Sequence, residues 1–267
     1  MYDETYFCAY RDALWNYVKG PAWYANTITE INFDISVAMG VESSIILNLW
    51  MYIIHVLNNA VRDCDSGESV FESLDVALSL WVGFDQEEGT SKGHLLYSIT
   101  ESIEEQFVTN AGQKEARANT KLISLFNEAR SLLNADGTCS ENDAASLRKN
   151  VHSIQSTMMI PLIQSLIHYL LEGDVSYTSL YAYSIVPMIY AHNLDAYRIL
   201  EILFFGGDIS DIQKATQALE SSYNALGITC ADIGSHLSSV STCSDDFVSI
   251  AGFTPPNKAR KVSSKSS

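Results

Sequence analysis

The chain has 267 residues, enough for one large domain or two small ones with a real core. Hydrophobic residues make up 47% and charged residues 18%, a balance that excludes a disordered chain. The net charge of −16 excludes a phosphate-binding surface of the nucleic-acid type, and it suits cations, basic proteins or solubility alone.

Residues 1–36 are aromatic-rich and broken at Gly20-Pro21, and they read as a leading helix and a strap. The start, Met1-Tyr2-Asp3-Glu4, lacks the basic and apolar regions of a secretory leader, so a mature or excised fragment is expected. A first unit spans 37–143, with helices expected over 41–63, 68–82, 91–109 and 114–134. Ser91 is a plausible N-cap for the third. The second unit spans 144–234, with helices expected over 144–171, 176–191, 193–205 and 209–226. Asp208 and Ser210 are capping candidates for the last. Residues 235–267 are Ser-rich and read as a flexible tail or linker. The longest uncharged windows, 43–61 and 152–171, carry Asn, His and Gln side chains. They read as buried helices, so no membrane span is expected.

The two units share three motifs in the same order. His55 and His168 sit at matching places in apolar helices. Gly93-His94-Leu95-Leu96-Tyr97 through Glu101 matches Asn193-Leu194-Asp195-Ala196-Tyr197 through Glu201. The run Ser131–Cys139 lines up with Ser222–Cys230. Three ordered matches indicate a duplication. With few Pro and Gly to mark strands, the expected fold is all-α: two pseudo-repeated antiparallel helical bundles packed into one body.

The chemistry is weaker than the architecture. His94, Tyr97 and Glu101 share a helix face, and Tyr197 and Glu201 repeat the last two. Imidazole, phenolate and carboxylate together suit ferric iron. The plainer reading is a Tyr hydroxyl bonded to a Glu across one turn for packing. His55 and His168 could converge across a pseudo-twofold axis on a metal, although a lone His on an apolar face is more often a satisfied core residue. The acidic loop Gly83–Gly89 does not follow the calcium-loop spacing and reads as solvated. Glu42, Glu72, Glu101, Glu104 and Glu105 include no Glu-x-x-His pair, which argues against a di-iron centre. Hydrolase, metalloprotease, dinucleotide and P-loop motifs are missing, so no catalytic residue is assigned. Five cysteines, Cys8, Cys64, Cys139, Cys230 and Cys243, form no CxxC pair. They favour disulfides in an oxidising compartment, with one thiol left over.

Three stretches together resemble a known family. They are Ser73–Gly83, with Trp81 and Gly83; Gly93–Tyr97; and Ala118–Phe126, with Asn119 near the start of a helix that leads to Cys139. The pattern is similar to the algal iron-assimilating, high-CO2-inducible periplasmic proteins and their diatom-type relatives, over residues 37–234. The family's further cysteines after the Tyr helix are absent here. The resemblance implies a helical repeat fold, a secreted, periplasmic or cell-surface location, a link to iron or carbon supply, and a Cys64–Cys139 disulfide. Cys230 would then pair with Cys243 or Cys8. The function expected is a non-enzymatic protein that binds or captures iron. The alternatives are a metal-free interaction module of an extracellular assembly, with protein partners or self-association, and an enzyme of carbon supply.

Overall fold

The computed structural model describes residues 40–84, 86–108, 115–205 and 211–238. A π-helical turn (Ser44–Leu49) runs into helix α1 (Trp50–Ser66), followed by α2 (Phe71–Val82), α3 (Leu96–Glu104) and strand β1 (Phe107–Val108). Next come α4 (Arg117–Ser131), α5 (Glu141–Glu172), α6 (Val175–Tyr190), α7 (Leu194–Phe205), α8 (Ile212–Glu220), the short α9 (Cys230–Ile233) and strand β2 (Ser235–His236). The eight helices expected between residues 41 and 226 each have a counterpart, the leading helix expected within 1–36 lies outside the described residues, and the class is all-α.

Helix α5 is the axis of the fold. Its 32 residues span about 48 Å at 1.5 Å per residue. It packs against α1, α3, α4, α6, α8 and α9, so neither half of the chain is built without it. From Leu147 to Leu170 its apolar side chains are buried on every face, including Met158, Leu162, Ile163 and Leu166. Two of the polar residues inside it are tied to other segments: Gln155 donates to Asn58 Oδ1 at 3.1 Å, and Gln164 donates to the Ile233 carbonyl at 2.8 Å. The core is continuous from Ile46 to Ile233.

Local chemistry sets the boundaries. Helices α1 and α5 end at Gly67 and Gly173, both left-handed at φ 71° and 74°, where a side chain would be strained. Asp174 starts α6 by accepting the Ser176 and Tyr177 amides, each at 3.0 Å. Asp211 does the same for α8 through Lys214 N–H. Thr229 and Asp232 form a reciprocal capping box on α9. Two expected caps differ. Ser91 lies four residues before the Leu95 N-cap, and its carbonyl accepts the Ser98 hydroxyl. Asp208 and Ser210 lie outside the described residues.

The expected tail also begins too early. Ser235 and His236 pair antiparallel with Val108 and Phe107, and His236 is buried. Two-residue strands are too short for alternation to reveal them, and the pairing joins distant parts of the chain. Residues 239–267 and the leading segment 1–36 lie outside the described residues.

Cys64, in the last turn of α1, forms a disulfide with Cys139, with their Cα atoms 5.2 Å apart. This bond clips the end of α1 to the turn that precedes α5. Cys230 is also disulfide-bonded, while Cys8 and Cys243 lie outside the described residues.

Two segments, Gly40–Ser66 and Asp143–Glu172, are long and apolar enough to cross a membrane by length and composition. The second is a core helix, with 83% of its apolar window buried. The first is 39% buried, and its exposed positions include Val41, Ser44, Asn48, Tyr52, His55, Arg62 and Asp65.

Candidate functional site

The first set of candidate ligands, His94, Tyr97 and Glu101, separates on folding. Helix α3 starts only at Leu96, so His94 stays on the preceding loop and is exposed. Tyr97 points inward. Its hydroxyl donates to Glu115 Oε1 at 2.6 Å and accepts the Gly89 amide at 3.1 Å. Burial, and then the bond to Glu115, push this phenol well above its ordinary range, which opposes the phenolate that ferric iron would want. Glu101 accepts the Ala116 amide with both oxygens, at 3.1 and 3.0 Å, and Asn119 Nδ2 at 2.7 Å. Glu104 accepts the Arg117 and Ala118 amides. Two buried carboxylates from α3 thus cap the amino end of α4, where four amides lack partners of their own. Burial raises both carboxyls, Glu104 to about 7, while the amides draw them back down.

Asn119 closes this network. It is fully buried, accepts the Trp81 indole N–H at 2.9 Å, and donates to the Tyr97 carbonyl at 3.0 Å. The motif residues Trp81, Tyr97 and Asn119 therefore meet as the hydrogen-bonded joint of α2, α3 and α4.

The remaining candidates lie apart. Tyr197 donates to Glu201 Oε1 at 2.8 Å across one turn of α7, on a largely exposed face. Burial and this bond push its hydroxyl up to about 12. Here the packing pair expected within one helix is present, whereas Tyr97 reaches a residue of another segment. His55 is a correction to the expected core position: it is exposed and bonded to Asn59 at 3.1 Å. His168 pairs with a different ring, His236, with His168 Nδ1 and His236 Nε2 3.0 Å apart. The structure thus does not pair His55 with His168. Their heptads look alike, but one helix is peripheral and the other central, so matching positions face different surroundings. Among the described residues, no three His, Cys, Asp or Glu side chains gather into a metal-holding group.

Two of the candidates do share a space. His94 and His168 line one cavity of about 520 Å³, within the range of small-molecule sites. It lies between the segment that begins at Val41, the loop and helix from Ser91 to Gln106, and α5 with α6. Its charged and aromatic wall is Glu42, Tyr169 and Tyr181. Tyr181 donates to Glu42 Oε1 at 2.5 Å. Burial raises the Glu42 carboxyl, and the Tyr181 bond partly offsets it. Tyr169 stacks between Tyr177 and Tyr181, with ring centroids 4.6 and 5.6 Å away. Burial pushes the Tyr169 and Tyr181 phenols up, so both face the cavity as neutral groups. His168 is held below its ordinary range, mainly by burial, with Glu172 opposing.

Sequence reasoning passed over Tyr169, Tyr181, Glu115 and His236, and it treated Glu42 only as part of a failed di-iron pattern. Tyr181 and Glu42, Tyr97 and Glu115, and His168 and His236 lie far apart in sequence, so no spacing could mark those pairs. No family model, curated protein or solved structure matches the chain.

Proposed function

We propose that the protein is a non-enzymatic binding protein, and that it captures iron as a small ferric chelate in the cavity walled by Glu42, His94, His168, Tyr169 and Tyr181. One observation carries the reading: His94 and His168, from a loop and from the central helix, face one space together with a carboxylate and two phenols. A chelate fits better than a bare ion because, among the described residues, no three His, Cys, Asp or Glu side chains gather into a metal-holding group. The size of the cavity suits it, and the net charge of −16 favours neutral or cationic chelates over anionic ones. The motif resemblance to the iron-assimilating periplasmic family supports iron as the metal. A disulfide between Cys64 and Cys139 supports an exported protein, since such bonds persist in oxidising compartments.

Titration with the 1:1 ferric nitrilotriacetate complex, followed by calorimetry, tests the proposal. Saturable binding is expected, weakened at least tenfold in His168→Ala and in Tyr169→Phe/Tyr181→Phe. Heat no greater than that of the free chelator would reject it.

Part of the same proposal is that the two halves descend from one unit, supported by the three ordered motif matches. Superposing α1–α4 on α5–α8 tests it, and unrelated helix orders would reject it. A second reading, an interaction module of an extracellular assembly, draws on the exposed Ile202 and Phe205 one turn apart on α7. Sedimentation at rising concentration separates it from the first, because only this reading expects association without a metal.

A further inference from the structure

We infer that His236 is a positioning residue for the cavity: it fixes His168 as a hydrogen-bond donor, so a ligand meets that ring through an acceptor oxygen and not through a metal–nitrogen bond. The inference rests on the cavity being the binding site, and it narrows what can bind there.

The argument starts from an amide. Ser238 N–H lies 3.2 Å from His236 Nδ1. A backbone amide can only donate, so Nδ1 must carry the lone pair. The Ser238 hydroxyl, 2.7 Å from the same atom, is free to rotate and imposes no contrary demand. Neutral His236 therefore bears its proton on Nε2, and that atom faces His168 Nδ1 at 3.0 Å. His168 Nδ1 is the acceptor of this bond. The neutral His168 ring then holds its own proton on Nε2, the one ring nitrogen left for a ligand.

The opposite assignment is costly at a definite place. A metal on His168 Nε2 would move the proton to Nδ1. His236 Nε2 would have to accept it, and His236 Nδ1–H would then point at the Ser238 N–H. Two donors would face each other in a buried setting. The surroundings hold His236 against swinging away. Its ring meets the Phe107 edge at 5.1 Å, and the next residue's amide, Leu237 N–H, donates to the Gln106 carbonyl at 2.9 Å. Gln106 itself lines the cavity. The charged and titratable groups around the pair are Glu172 on α5, which acts on both rings, Tyr169, whose ring centroid lies 5.0 Å from that of His168, and His94 and Glu42, which line the same cavity.

The matching ligand chemistry is an oxygen acceptor, carboxylate or carbonyl, as a chelate's outer atoms provide. Long-range proton–nitrogen NMR correlation at pH 7.5 reads the tautomers directly, without any ligand. The expected result is His168 protonated on Nε2 in the native protein and in His236→Gln, whose amide still donates to Nδ1. His236→Ala is expected to show a mixture. Ferric nitrilotriacetate affinity should stay within about threefold in His236→Gln and fall about tenfold in His236→Ala, the worth of one hydrogen bond. Should His236→Ala loosen the ribbon, the glutamine variant still decides the matter. A native His168 protonated on Nδ1, or ring nitrogen shifts showing zinc bound directly at Nε2, would overturn the inference. If the tautomer is as expected and the chelate does not bind, the iron reading falls and the donor assignment stands.

Discussion

The indole nitrogen of Trp81 donates to Asn119 Oδ1 across 2.9 Å, joining two helices whose motif residues lie 38 positions apart. Asn119 spends its other polar atom on the Tyr97 carbonyl and the Glu101 carboxylate. The motif residues that carry the family resemblance form, in the fold, a joint among α2, α3 and α4. Conversion of Asn119 to an apolar residue would leave an indole N–H, a carbonyl and a carboxylate oxygen with fewer partners at once. Asn119→Ala is expected to lower stability by about 3 kcal/mol, read from urea unfolding. A change below about 1 kcal/mol would show that the joint is dispensable.

The cap formed by Glu104 gives a pH signature. Burial raises this carboxyl from 4.5 to about 7. The folded protein therefore keeps a proton that the unfolded chain has already released between those values. Its contribution is fully present below pH 4.5 and is lost as the pH rises through about 7. Between pH 5 and pH 8 the loss should be about 2–3 kcal/mol. In Glu104→Gln, which keeps an acceptor oxygen and no charge, that part of the slope should vanish. Parallel slopes for the two proteins in urea titrations at both pH values would contradict the assignment.

The Cys64–Cys139 disulfide closes a separation of 75 residues. Loop-closure arguments give such a bond about 4–5 kcal/mol, chiefly by restricting the unfolded chain. The Cys64→Ala/Cys139→Ala protein should unfold at correspondingly lower urea concentration with its helical circular dichroism retained. Equal midpoints would mean that the bond adds nothing to stability.

Acid should loosen the β1–β2 ribbon. Burial lowers both His168 and His236 from 6.5; a charged His168 lowers His236 further, while Glu172 opposes both shifts. Below that value the unfolded chain takes up protons that the folded ribbon resists. The stabilisation is thus present above about pH 6.5 and is lost as the pH falls through the lower, folded values. Exchange of the Leu237 amide, corrected for its intrinsic pH dependence, should rise about tenfold between pH 7.5 and pH 5. Constant protection across that range would show that the imidazole pair does not hold the segment.

The helices were legible because their signal is local. Apolar residues of the Leu122, Phe126 and Ala129 kind recur at a spacing that only a helix turns to one side. His55 shows where that signal stops. Its neighbours Ile53, Ile54, Val56 and Leu57 are buried, yet its own position on the turn faces outward. The same heptad in α5 is enclosed because other helices surround it. Tyr97 and Tyr197 diverge in the same way. A one-turn Tyr–Glu pair can be read from spacing, whereas the Tyr97–Glu115 bond depends on how α4 is set against α3.

By itself, then, the sequence determined the helical class, the order of the helices and the buried character of the 152–171 stretch, since periodicity, caps and hydrophobicity act within a few residues. Only the tertiary structure decided which polar groups meet: Trp81 with Asn119, Tyr181 with Glu42, and His168 with His236. Those partners are brought together by the burial of apolar faces elsewhere. That burial is non-directional, so the chain's local pattern says how much surface must be hidden without saying what will stand beside it.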